Sequence, residues 1–128
     1  MKTDNKIEVP SKTFNLKIKE QTYEVKFPNT GQLLDIQQRK SIITNGQYGN
    51  FSDQGTSGLY AKYLADMIAT FEVLIPKLKA DLNVSIMELE SADSKDLLNV
   101  YLTDFLPWYE KWLTFLNKVE DKATGKND

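Results

Sequence analysis

The chain has 128 residues, of which 41% are hydrophobic and 27% are charged, and its net charge is −2. These are the values of an ordinary globular protein of single-domain size, neither disordered nor membrane-embedded. The chain contains no histidine and no cysteine. Structural zinc, haem and iron–sulfur sites, disulfides and cysteine nucleophiles are therefore excluded, because each needs imidazole or thiolate groups.

Charge is unevenly divided along the chain. Residues 1–50 carry a net charge of +3 and residues 51–128 carry −5. Lys17, Lys19 and Lys26 alternate with apolar residues, as on the solvent face of strands, so a nucleic-acid partner is not expected. No stretch approaches the roughly 20 apolar residues of a membrane span, and no apolar run of signal-peptide length follows Met1. We expect a soluble protein with no membrane partner that stays in the compartment where it is made.

The N-terminal part predicts a β-hairpin after a short lead-in. Residues 1–12 are polar and include Pro10, which predicts a flexible segment before a single domain at residues 13–119. Apolar residues then occupy every second position in two runs: Phe14, Leu16 and Ile18, and Tyr23, Val25 and Phe27. Because only residues 20–22 separate the runs, they are expected to pair as antiparallel strands.

Helical patterns dominate the middle of the chain. A weakly amphipathic helix is predicted from about Gly31 to Thr44, followed by a polar stretch with four glycines, residues 45–58, that reads as a mobile or functional loop. A single apolar stripe from Leu59 predicts a long helix that Pro76 should kink or restart and that ends near residue 83. Ser85 is expected to cap a short helical segment.

The C-terminal region is rich in aromatic residues. Six of the fourteen aromatic side chains lie within residues 101–115: Tyr101, Phe105, Trp108, Tyr109, Trp112 and Phe115. Their spacing predicts a helical region in which Pro107 makes a kink or starts a separate helix, followed by a polar tail at residues 120–128. The fold class expected is α+β, mostly α, with an N-terminal antiparallel β-hairpin packed on about four helices.

Candidate chemical motifs do not assemble into a site. The acidic residues Glu88, Glu90, Asp93 and Asp96 lack the spacing of a calcium loop, and the dipole of the following helix already explains them. The paired glycines of residues 46–58 lack the lysine and the preceding strand of a phosphate-binding loop. We therefore predict no catalytic residue, no cofactor and no metal.

The apolar arc of the C-terminal region is wider than the roughly 100° that one core requires. Trp112 lies in its centre and is expected in the core, whereas Trp108 lies on a flank and is expected to contact another polypeptide. Burial of both tryptophans in one core is the alternative, because Pro107 can rotate everything after it. The residues predicted to bind protein are Leu97, Trp108 and Phe115, with Tyr48 and Phe51 from the glycine-containing loop.

The hairpin at residues 14–28, the long mid-chain helix and the segment from Leu106 to Trp112 resemble small structural or tail-assembly proteins of tailed bacteriophages, of the tail assembly chaperone type. The resemblance covers residues 13–118 in outline. It implies a non-enzymatic protein of the host cytoplasm or the virion that binds tape-measure or other virion components and forms a homo-oligomer. The alternatives are a small regulatory or inhibitory binding module, such as a phage-encoded inhibitor of a host protein, and a hydrolase that depends on Asp or Glu.

Overall fold

A two-stranded antiparallel sheet precedes five α-helices in the computed structural model, which describes residues 9–124, with side chains described as far as residue 118. The strands and helices are β1 (Thr13–Ile18), β2 (Gln21–Lys26), α1 (Thr30–Ile43), α2 (Gly55–Leu74), α3 (Lys77–Leu82), α4 (Ser91–Val100) and α5 (Leu106–Thr124). Short 3-10 helices span Tyr48–Asp53 and Ile86–Glu88, and a π-helical turn spans Tyr101–Phe105. The predicted fold class, mostly α with an N-terminal hairpin, is confirmed.

The hairpin has the alternation that the sequence predicts. Its register pairs Thr13 with Lys26 at the open end and Ile18 with Gln21 beside the turn. Lys19, in that turn, adopts the left-handed backbone conformation with a φ of 57°. Four side chains of the hairpin are buried: Leu16, Ile18, Tyr23 and Val25. Because successive side chains of a strand point to opposite faces, Lys17 and Glu24, which lie between them, face solvent.

Local signals set most helix ends. Asn29 and Gln32 form a reciprocal capping box at the start of α1, in which each side chain accepts a hydrogen bond from the other residue's backbone N–H. Pro76 separates α2 from α3, as predicted, because proline cannot donate the backbone hydrogen bond that a continuous helix requires. Asn83, with a φ of 65°, ends α3, and the Ser85 side chain accepts from the Met87 N–H at the next 3-10 helix.

The glycine-containing stretch at residues 45–58 is not an open loop, which corrects the sequence prediction. Asn45 and Gly46 reverse the chain after α1 with positive φ angles of 53° and 78°. A 3-10 helix follows, and α2 begins at Gly55, four residues earlier than predicted from the apolar stripe. Gly58 permits this arrangement, since a Cβ atom there would clash with the carbonyl oxygen of Phe51.

The π-helical turn accommodates Pro107 without ending the helical run. The Leu106 N–H donates to the Tyr101 carbonyl oxygen five residues earlier, and the next residue, Pro107, has no N–H to donate. α4 and α5 are therefore joined by a wide turn rather than by a loop. α5 continues to Thr124, beyond the predicted start of the polar tail at residue 120.

One core joins the hairpin, α2 and the α4–α5 region. Aromatic side chains form much of it: Phe71 meets Tyr101 and Phe105 edge to face, with ring centroids 5.4 and 5.5 Å apart. Tyr101 and Phe105 stack on each other at 5.5 Å. Within residues 9–124, no helix is both long and apolar enough to cross a membrane.

Candidate functional site

Two of the residues predicted to bind a partner lie in the chain's own core. Leu97 is 5% exposed and Trp108 is 8% exposed, close to the 7% of Trp112. The Trp108 indole stacks on Phe14 at 5.4 Å and meets Phe27 edge to face at 6.1 Å. The expected outward placement of Leu97 and Trp108 is therefore wrong, and the alternative, both tryptophans in one core, describes the packing.

The two tryptophans also hold the segment that precedes the hairpin. The indole N–H groups of Trp108 and Trp112 both donate to the carbonyl oxygen of Ser11, each over 2.8 Å. The Phe27 N–H donates to the neighbouring Lys12 carbonyl at 2.9 Å. Ser11 and Lys12 are thus part of the folded domain rather than of a flexible lead-in, whereas residues 1–8 of that predicted segment lie outside the described residues.

Phe115, the third of the C-terminal residues predicted to bind protein, is half-buried. Its ring meets that of Trp112 edge to face, with centroids 5.5 Å apart. It lines a broad, open surface groove together with Val9 and Pro10 from the segment before the hairpin. Of the predicted set on α4 and α5, Phe115 therefore lies nearest to solvent.

Tyr48 belongs to a polar cluster that joins three elements. Its hydroxyl donates to Asp66 at 2.5 Å, and the Lys40 and Lys62 ammonium nitrogens lie 3.1 and 3.8 Å from the same carboxylate. Both ammonium groups also lie within 5.3 Å of the centre of the Tyr48 ring, in cation–π range. We call Tyr48, Asp66, Lys40 and Lys62 the Asp66 cluster. It attaches the first 3-10 helix to α1 and α2.

The Asp66 cluster leaves Tyr48 engaged within its own chain. Burial raises the pKa of Tyr48 well above its usual range, and the hydrogen bond to Asp66 and the negative charge there raise it further. Tyr48 therefore remains a neutral hydrogen-bond donor at physiological pH. Phe51, the other predicted binding residue of this segment, is half-buried, and its backbone carbonyl sits against Gly58. Neither side chain stands free on an exposed loop as the sequence had suggested.

Three further tyrosines have raised pKa values. Burial raises the pKa of Tyr109 to about 12, with a smaller contribution from Asp66. Burial and the 2.6 Å hydrogen bond to Asp81 raise that of Tyr23 to about 12. Burial is also the main cause of the raised pKa of Tyr101. All of these shifts favour the protonated phenol, so none of these three groups acts as a base at neutral pH.

The described residues contain no group of three or more side chains that could hold a metal ion. In the same part of the chain, no buried side-chain nitrogen or oxygen lacks a hydrogen-bond partner. The buried polar side-chain atoms of these residues are thus hydrogen-bonded within the fold.

The outer face of α1 is the surface that the sequence analysis missed. Leu34 is 67% exposed and Ile42 is 66% exposed, whereas Ile36, on the opposite side of this helix, is 1% exposed. At 100° per residue, Leu34 and Ile42 lie within one quadrant and both lie more than 100° from Ile36. We call Leu34 and Ile42 the α1 face. The detectable signal was the weak amphipathicity of α1, whose apolar residues are spread around the helix.

In comparisons with known proteins, no protein-family model, no curated protein and no solved structure matches this chain.

Proposed function

We propose that this protein is a non-enzymatic virion or tail-assembly protein of a tailed bacteriophage that acts through protein–protein contacts. The observation that carries the proposal is the α1 face, where two large aliphatic side chains are each about two-thirds exposed. A single exposed aliphatic side chain needs no explanation, but a leucine and an isoleucine on one helix face in a small domain favour a contact with another chain.

The size of the α1 face sets the kind of contact. Burying a leucine or isoleucine side chain fully stabilises a complex by roughly 1.5–3 kcal/mol. Two such residues act as anchors but do not fill a stable interface, which buries about 800 Å² on each partner. The contact therefore includes the polar residues around them, and its partners are tape-measure or other virion components or a second copy of this chain.

The chemistry of the interior supports a binding role over catalysis. In the Asp66 cluster, the carboxylate is paired with two lysines and a tyrosine. The pKa values of Tyr48 and Tyr109 are raised above the usual range for tyrosine and so lie far from neutral pH. A general acid or base works best when its pKa is near the operating pH. These groups hold the helices together instead.

The proposal is tested by capturing the tagged full-length chain from infected cells during assembly and identifying the bound proteins by mass spectrometry. We expect tail or other virion proteins in the wild-type sample and their loss with Leu34→Glu/Ile42→Glu. Thr22→Glu, which adds a charge at an exposed position of β2, is the control and should retain them. Thermal unfolding of each variant establishes that the fold is intact.

Two outcomes would contradict the proposal. Capture of a host protein without any virion component would favour the inhibitory alternative. Equal capture by the wild-type chain and by folded Leu34→Glu/Ile42→Glu would remove the α1 face from the contact.

A further inference from the structure

A small apolar cavity lies between the hairpin turn, the end of α3 and one side of α4, away from the α1 face. Its volume is about 130 Å³. Its apolar lining residues are Ile18, Leu82, Leu89, Leu97 and Val100. Since Ile18 and Leu97 are buried and the other three are half-buried, the cavity has a closed apolar floor. We call it the α4 pocket.

Charged side chains form the rim of the α4 pocket. Lys19, Asp93 and Asp96 complete its lining, and all three are exposed. Asp93 and Asp96 are three residues apart, so they lie on the same side of α4. Neither carboxylate has a lysine or arginine nitrogen within 4.0 Å among the ion pairs of the described residues. These two negative charges are thus available to a partner.

The residues around Asp93 and Asp96 in the sequence add to the negative charge at the α4 pocket. Residues 81–96 contain five acidic side chains and one lysine, a net charge of −4. Lys19 offsets one of these charges at the rim, and the remainder attracts cations over about one Debye length, roughly 8–10 Å. An apolar cavity beside unpaired carboxylates is complementary to an apolar group with positive charges next to it.

The volume of the α4 pocket limits what can enter it. Cofactors and drug-sized ligands occupy pockets of about 300–1,000 Å³, so this cavity is too small for them. An apolar cavity of about 150 Å³ accommodates a benzene molecule, so this one fits a single aliphatic side chain. Interface anchors are often single side chains that fill such pockets.

We propose that the α4 pocket receives one apolar side chain from a basic segment of a partner protein. A residue of about leucine size occupies the cavity, and lysine or arginine residues beside it pair with Asp93 and Asp96. This inference rests on the proposed function, protein contact, and names the chemistry of one partner segment.

The test uses the full-length ¹⁵N-labelled protein and a synthetic peptide, acetyl-GKKLKKG-amide, whose single leucine is flanked by lysines. A matched peptide carries serine in place of leucine. In NMR titrations we expect the leucine peptide to shift the amide signals of Leu89, Leu97 and Val100. The serine peptide should bind at least about tenfold more weakly, because it loses the burial of the leucine side chain.

Two variants separate the charges from the cavity. Asp93→Asn/Asp96→Asn changes exposed side chains only and should weaken the binding of the leucine peptide by about three- to tenfold, as expected for the loss of exposed ion pairs. Asp104→Asn/Glu110→Gln removes two exposed charges outside the pocket and is the control. Val100→Phe fills the cavity and should abolish the leucine preference. Thermal unfolding is measured for all three, and the aspartate variant keeps the test decisive if Val100→Phe does not fold.

Three results would overturn the inference: no shift of the pocket amides at 5 mM peptide, a concentration on the order of the weakest useful affinity; equal binding of both peptides; or equal effects of the two charge-removing variants. None of them bears on the α1 face. Loss of virion-protein capture by Leu34→Glu/Ile42→Glu together with failed peptide binding would retain the proposed function and discard the pocket.

Discussion

Trp108 and Trp112, one helical turn apart, donate their indole N–H groups to the same acceptor, the carbonyl oxygen of Ser11. A carbonyl oxygen has two lone pairs and can accept both bonds. The two indoles also stack on residues of the hairpin region, Trp108 on Phe14 and Trp112 on Phe27. The pair thus joins the segment before β1 to α5.

Replacement of either tryptophan by alanine should therefore destabilise the protein to a similar extent. Trp108→Ala and Trp112→Ala should each lower the free energy of unfolding by about 3–5 kcal/mol, because each removes a buried indole and one bond to Ser11. Urea unfolding followed by circular dichroism measures both losses. A loss near 1 kcal/mol for Trp108→Ala alone, as expected for an exposed side chain, would contradict this equivalence.

Removal of the Tyr48 hydroxyl should weaken the attachment of the first 3-10 helix. Tyr48→Phe should cost about 1–2 kcal/mol of stability, because it deletes a hydrogen bond to the charged Asp66 in a half-buried site. Tyr60→Phe is the matched control: Tyr60 is exposed, and its loss should stay within about 0.5 kcal/mol. Equal unfolding midpoints in urea for the two variants would show that the Tyr48–Asp66 hydrogen bond adds nothing to stability.

A methyl group at Gly58 should destabilise the protein even though alanine favours helices. The gain in helix propensity is about 1 kcal/mol, but the new Cβ would meet backbone of Phe51, which cannot rotate away as a side chain could. We expect a net loss of about 1–3 kcal/mol in thermal or urea unfolding.

Gly31→Ala is the comparison for Gly58→Ala. At Gly31 the nearest atom to a new Cβ is Asn29 Oδ1 at 3.6 Å, an ordinary contact. That variant should be neutral or gain up to about 1 kcal/mol. A stabilised Gly58→Ala would mean that the 3-10 helix does not pack against α2 as described.

Stability should decline as the pH rises above about 10. An unfolded tyrosine loses its proton near pH 10, whereas burial keeps Tyr109 protonated in the folded protein until about pH 12. Since the folded state binds more protons in this window, the free energy of unfolding falls as the pH rises through it.

The alkaline decline is measured by urea titrations between pH 8 and 11. Tyr109→Phe should decline less steeply than the wild-type protein, because it removes one of the groups responsible. Tyr60→Phe, which replaces an exposed tyrosine, is the control. Parallel slopes for Tyr109→Phe and the wild-type protein would show that Tyr109 ionises equally in the folded and unfolded states.

The sequence by itself determined the elements whose causes are local. Alternation from Phe14 to Phe27 predicts the hairpin because a strand repeats every two residues. Pro76 predicts the break between α2 and α3 because it lacks a backbone donor, and Ser85 predicts the cap of the following turn. Each of these signals acts over a few residues, so no knowledge of the rest of the fold was needed.

Only the tertiary structure decided the environment of each side chain. The π-helical turn at Tyr101–Phe105 departs from 100° per residue, so a helical projection that runs from Leu97 to Trp108 gives the wrong angle between these two side chains. In addition, Phe14 and Phe27 of the hairpin region cover Trp108, which the projection had placed on an exposed flank. Tyr48 finds its partner in Asp66, 18 residues away, and α1 buries Ile36 while leaving Leu34 exposed. These outcomes depend on which elements meet, and contacts between distant parts of a chain leave no periodic signal in the sequence.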